Sequence, residues 1–189
     1  MRRMGVATIL LLLLCAGAVQ ARNVDGTSKS ETIRGTSKAD SLYGAGGDDR
    51  VLGLGGDDLL YGDAGRDRLE GGDGDDEPSG GTGSDEVTGG SGNDELAGDE
   101  GNDELDAGTG NDALDGADGN DDLRSGPGVD DVSGGDGDDR LFERDNGLDT
   151  INCGAGNDTV TTDQVESSVF ECETVLTPSG QPVQETGDR

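Results

Sequence analysis

The feature that most constrains this chain is a period of nine residues. From Gly26 the pattern runs without a slip for thirteen units, ending at Phe142. One residue is then inserted at Glu143, and two more units follow, Arg144 to Asn152 and Cys153 to Thr161. The pattern is cleanest between Gly89 and Leu123. There the fourth position is Gly92, Gly101, Gly110 and Gly119, the sixth is Asp94, Asp103, Asp112 and Asp121, and the eighth is Leu96, Leu105, Leu114 and Leu123. Across all fifteen units the sixth position is aspartate, except for Glu31. The eighth is Ile, Leu or Val except at Pro78, and the fourth is glycine except at Lys29 and Lys38.

A period of nine belongs neither to a helix nor to a simple hairpin ladder. Glycine at this density excludes helix, at about 1 kcal/mol per glycine relative to alanine. Positions one to six, rich in Gly, Asp and Asn, call for glycine-type dihedrals and form a turn. Positions seven to nine form a short strand with the eighth residue pointing inward, as in Glu95-Leu96-Ala97. Two units then make one coil of eighteen residues, with unit i stacked under unit i+2 and strands on either side of a thin aliphatic core. The expected fold is all-β.

Such a core needs help. The chain has 43 acidic and 13 basic residues, a net charge of −30, 37 glycines and only 29% hydrophobic residues. Without a strict period or a bound cation, this composition would leave the chain unfolded. The charge argues against nucleic acid and anionic membranes as partners and for multivalent cations or basic proteins. The only repeating ligand atom is oxygen, which suits a hard cation with six to eight carboxylate and carbonyl ligands and disfavours zinc, copper and iron. Magnesium, smaller and mostly hydrated, fits a carbonyl cage badly.

Gly134-Gly-Asp-Gly-Asp-Asp-Arg-Leu-Phe142 matches GGxGxDxUx, U being a large aliphatic residue, at every specified position. The array thus resembles the RTX, or haemolysin-type, calcium-binding repeat, in a small secreted bacterial form. The resemblance is strong from Gly44 to Thr161 and weak from Gly26 to Tyr43. It implies a right-handed parallel β-roll with Ca2+ held between successive turns by sixth-position carboxylates and turn carbonyls. Carried onto this sequence, the metal ligands are Asp49, Asp58, Asp67, Asp76, Asp85, Asp94, Asp103, Asp112, Asp121, Asp130, Asp139, Asp149 and Asp158. Pro78 removes a ladder donor and takes an inward position, so it is expected to interrupt one coil and to make Asp76 the weakest of the set. The thirteen units with both Gly and Asp permit at most eleven stacked pairings. Without calcium the array should be largely unfolded, so that binding free energy is folding free energy.

The ends of the chain read differently. Met1-Arg-Arg, the apolar run Ala7 to Ala18, and Val19 and Ala21 at a small-residue cleavage site describe a secretory signal peptide, residues 1–21. Cleavage would remove Arg2 and Arg3, taking the charge from −30 to −32, and would remove Cys15. The two remaining cysteines of an exported chain, Cys153 and Cys172, then pair across a ring of about 20 residues, worth roughly 3 kcal/mol. Residues 22–43 read as an N-terminal cap of degenerate repeats, 44–161 as the calcium-binding roll, 162–176 as a C-terminal cap and 177–189 as a disordered tail. The expected product is a secreted, extracellular calcium-binding protein with no membrane span. The chain has no histidine, and its carboxylates are committed to a lattice, so no catalytic residue is expected. The alternative is a calcium-dependent adhesion or surface-matrix component. Ice binding is less favoured, because position five carries ranked asparagines but position three is threonine only at Thr82 and Thr109.

Overall fold

Residues eighteen apart lie directly above one another. In the computed structural model, which describes residues 21–143, 147–162 and 168–176, Leu42 pairs with Leu60, Leu105 with Leu123 and Leu114 with Val132, always in parallel. Alternate units therefore feed two parallel sheets of nine strands each. The first runs from Asn23–Asp25 to Ser168–Phe170 and the second from Thr32–Arg34 to Thr174–Leu176. The chain is a parallel β-roll of about eight coils, close to 38 Å long at ordinary strand spacing. The segments read from the sequence as a signal peptide, save Ala21, and as a tail fall outside the described residues.

The core is one side chain per unit. Leu42, Val51, Leu60, Leu69, Val87, Leu105, Leu123, Val132, Leu141, Ile151 and Val160 are fully buried between the sheets. Every eighth-position residue from Ile33 to Val160 is buried. Each buried Leu or Val contributes about 1.5–3 kcal/mol, which keeps the two sheets together but leaves the glycine turns without any apolar support.

The strands are longer than the three residues the sequence suggests. At the ends of the roll they span three, as in Thr32–Arg34, but in the middle they reach six or seven, as in Arg50–Gly55 and Glu95–Gly101. Positions two and three also pair with the coils above and below, as in Gly108 with Gly90 and Thr109 with Ser91. A corner at position one makes this possible, followed by a left-handed residue at position two. That residue is glycine at Gly72, Gly90 and Gly108, yet Ala45, Leu54, Asp63, Asp99 and Ala117 also adopt φ of 70–87°. Each of those costs on the order of 1 kcal/mol or more.

Pro78 does not break the roll. It sits buried in Glu77–Gly83, in register with Leu60. Its one effect is that pairing to the next coil begins at Ser79 with Ala97, where other coils begin two residues earlier. Glu95 N still donates to Asp76 O at 2.9 Å, so a single missing donor leaves the coil in place. The insertion is also not at Glu143. That residue keeps register with Thr162, is buried at the corner and accepts a hydrogen bond from Ser125 Oγ. The stagger changes from eighteen to nineteen only between Glu143 and Asp149, a stretch whose residues 144–146 lie outside the described set.

The two broad faces differ in charge. Strands of the first sheet carry nine acids and no base. Those of the second carry seven acids, one of them buried Glu143, and five arginines. There the acids are partly matched, by Arg124–Glu104 at 2.7 Å, Arg50–Glu70 at 3.5 Å, Arg140–Asp122 at 3.5 Å and Arg68–Glu86. Exposed pairs of this kind contribute about 0–1 kcal/mol each.

In saturating calcium, Leu105→Ala should lower stability by about 2–5 kcal/mol through the cavity it leaves. Pro78→Leu should instead raise the urea midpoint, because it restores a donor and fills the same inward position.

Candidate metal-binding edges

Each turn delivers its sixth-position carboxylate to the interior of the roll, and the carboxylates of one edge are joined coil to coil. The backbone N–H of each aspartate donates to Oδ1 of the aspartate one coil further on. Along one edge the ladder runs Asp40, Asp58, Asp76, Asp94, Asp112, Asp130 and Asp149, with distances of 2.7–2.9 Å. Along the other it runs from Glu31 through Asp49, Asp67, Asp85, Asp103, Asp121 and Asp139 to Asp158, at 2.7–2.9 Å. All thirteen aspartates named from the sequence lie on these two ladders, and none is more than 4% exposed.

The second carboxylate oxygen is the unusual one. Oδ2 of Asp49, Asp58, Asp67, Asp76, Asp85, Asp94, Asp103, Asp112, Asp121, Asp139 and Asp158 is buried and accepts no hydrogen bond. A buried polar atom left in this way costs several kcal/mol if it is charged, unless a cation or proton compensates it. Asp76 shares this geometry fully, with 2.8 Å bonds on both sides, so Pro78 does not set it apart. The first two units do differ. Thr36 donates through both N and Oγ to Asp40 Oδ2, and Thr27 donates through N to Glu31 Oε2 and through Oγ to Glu31 Oε1.

The turn glycines explain how an ion could approach. A Cβ placed on Gly101 would lie 1.5 Å from Gly83 O and 2.9 Å from Asp103 Oδ1. On Gly110 it would lie 1.6 Å from Gly92 O and 2.7 Å from Asp112 Oδ1. Glycine at position four thus keeps open a cradle into which a carbonyl of one coil and a carboxylate of the next converge. The carbonyls of Gly74, Gly92, Gly110 and Gly119 accept no backbone hydrogen bond. Position-one glycines clear a second space, since a Cβ on Gly98 would meet Asp103 Oδ2 at 2.6 Å.

Among the described residues no three acidic, histidine or cysteine side chains converge on one point. Each coil offers one carboxylate per edge, so the remaining ligands at any site must be backbone carbonyls and water. That donor set fits a large, hard, flexible cation such as calcium. Burial raises the aspartate pKa values first of all, to about 6 for Asp58, Asp67, Asp85 and Asp103 and to about 7 for Asp76 and Asp121. Neighbouring carboxylates push them further in the same direction.

Two features of the edges were not read from the sequence. Position five forms its own ladder, in which Asn111 N donates to Asn93 Oδ1 at 2.9 Å and Asn120 N to Asn102 Oδ1 at 2.8 Å. The recurrence of Asn was visible, but its use as a backbone acceptor for the next coil required the eighteen-residue stagger. Glu173 is the other. It accepts a 2.9 Å bond from Asp158 N, although no repeat motif marks it.

A family model described as the RTX calcium-binding nonapeptide repeat (4 copies) matches residues 25–60, 52–77, 79–114, 106–141 and 145–164. No curated protein sequence matches the chain.

Folded-state pKa values raised by burial mean that the metal-free roll binds more protons than the unfolded chain. Its stability is greatest below about pH 4 and is lost as pH rises through 6 to 7. In chelator, the β-signal in circular dichroism should therefore grow on acidification. In calcium the same protons compete with the ion, so the apparent calcium affinity of the folded roll should fall as pH drops from 7 through 6.

Proposed function

The chain belongs to the RTX calcium-binding nonapeptide repeat family, and on that premise we propose that it is an exported protein whose array folds around Ca2+ at both edges of the roll. Calcium binding is the property of the family's repeats. The observation that supports this use of the present residues is the column of buried Oδ2 atoms without a hydrogen-bond partner. We assign ligand roles to Asp49, Asp58, Asp67, Asp76, Asp85, Asp94, Asp103, Asp112, Asp121, Asp130, Asp139, Asp149 and Asp158, completed by fourth-position carbonyls. A divalent ion supplies the positive charge these oxygens lack. The residues do the rest: Oδ1 fixes the carboxylate to the next coil, glycine keeps the cradle open, and the leucine row excludes water from behind.

The division of the chain follows the same reading. Residues 1–21 direct export, 22–43 close the N-terminal end, 44–161 bind calcium and 162–176 close the C-terminal end. Thr27 and Thr36, which occupy the carboxylates of the first two units, support an end that holds together without metal. No described helix is long and apolar enough to cross a membrane. A second reading, a calcium-dependent surface or matrix component, is favoured by the first sheet, whose nine acids face no base and could be bridged by ions to another acidic surface. Sedimentation with and without calcium would reveal that bridging as self-association.

Circular dichroism tests the main reading. The protein should be largely unstructured in chelator and β-rich in millimolar calcium; equal folding in both, or in neither, would sink it. Asp103→Asn and Asp121→Asn, neighbours on one ladder, should each weaken calcium uptake. Together they should weaken it by less than the sum of the separate losses, since they share a site.

A further inference from the structure

The last coil is a repeat with most of its turn cut out. In the array five residues, such as Gly98 to Asn102, separate the end of one three-residue strand core from the next sixth-position acid. At the C-terminal end only Glu171 and Cys172 separate Phe170 from Glu173. The stacking nevertheless continues on both sides of the cut. Asn152 pairs with Phe170, and Thr159 with Thr174. Thr174 N donates to Asp158 O at 3.0 Å, as the residue after every sixth-position acid does one coil further on. Glu173 therefore holds the sixth-position place, and Asp158 N donates to its Oε2 at 2.9 Å where Oδ1 of an aspartate would otherwise stand.

Two observations point to a ligand here. Asp158 is fully buried, and its Oδ2 has no hydrogen-bond partner. Glu173 reaches Asp158 from the coil above, accepting from its N–H, so two carboxyl groups meet at this end and need a cation or a shared proton between them. The shortened turn is held by the Cys153–Cys172 disulfide, with Cα atoms 5.0 Å apart and Cys153 fully buried at the roll's corner. Glu171 turns the chain there with φ of 54°.

We propose that Asp158 and Glu173 form a terminal calcium site beyond those the repeat motif marks, with Glu173 a ligand and the Cys153–Cys172 disulfide the cross-link that positions it. This rests on the calcium-binding reading above. The extra methylene of glutamate spans the gap left by the missing turn. With no fourth-position glycine in that turn, the site takes water where other sites take a carbonyl, which the exposure of Glu173 allows.

Native mass spectrometry of the disulfide-bonded protein in calcium counts the bound ions. Glu173→Gln keeps an amide oxygen for Asp158 N but loses the charge, and it should bind one ion fewer than the unaltered protein. Hydrogen exchange at the Asp158 amide should stay slow in that variant. Glu171→Gln should bind the full number. The Cys153→Ser/Cys172→Ser double variant should lose the same single ion, and adding Glu173→Gln to it should remove no further one. An unchanged ion count in Glu173→Gln would overturn the proposal, as would a loss accompanied by fast exchange at Asp158, which would make Glu173 a structural cap alone. If the unaltered protein bound no calcium at all, the failure would belong to the function proposed above.

Discussion

The structure depends on one short-range interaction, the hydrogen bond from each sixth-position N–H to the carboxylate of the sixth-position acid one coil further on. It satisfies a backbone donor that the glycine turn would otherwise bury without a partner. It also draws the carboxylate out of water, so that its other oxygen is left to be matched by something else. Register, burial and the demand for a cation are thus one fact seen from three sides. A coil displaced by one residue would lose its inward leucine and its ladder bond together.

This coupling explains why so acidic a chain can have an ordered state. One aliphatic residue per nine does not offset the entropy of ordering nine residues, several of them glycine, at roughly 1–2 kcal/mol each. The deficit is concentrated in the turns, where there is no apolar contact to recover. The oxygen-lined cradles occur in those same turns. The deficit in folding energy and the candidate metal ligands therefore sit on the same residues.

Most of the fold was legible because the period is strict. Gly101, Asp103 and Leu105 recur in phase, and that phase alone implies the coil, the stagger and the inward face. The pattern was less informative wherever tertiary context overrides a local rule. Pro78 reads as a break, yet the ladder tolerates one missing donor because the neighbouring Glu95 N and Asp76 O still bond. Leu54 and Asp99 adopt glycine-type φ because the coils above and below leave position two no other course. Glu143 looked like the inserted residue because the count of nines slips there, whereas the ladder with Thr162 puts the slip after it. Glu173 was invisible because its turn is shortened, and a motif defined by spacing cannot find a residue whose spacing has changed. The candidate ligands themselves were readable, and so was the difference between the first two units and the rest, but not its physical means. Lys29 and Lys38 marked those units, while the threonines at Thr27 and Thr36 do the work.

The unequal faces of the roll have an electrical consequence. With nine acids and no base on one sheet, and seven acids against five arginines on the other, the strand charges are −9 and −2. The candidate sites lie on the two edges, between the sheets, so cations taken up there would lower the total charge without evening out the faces. The described strands then keep a charge difference directed across the thickness of the roll. On that difference, a positively charged surface would attract the first sheet more strongly than the arginine-bearing second.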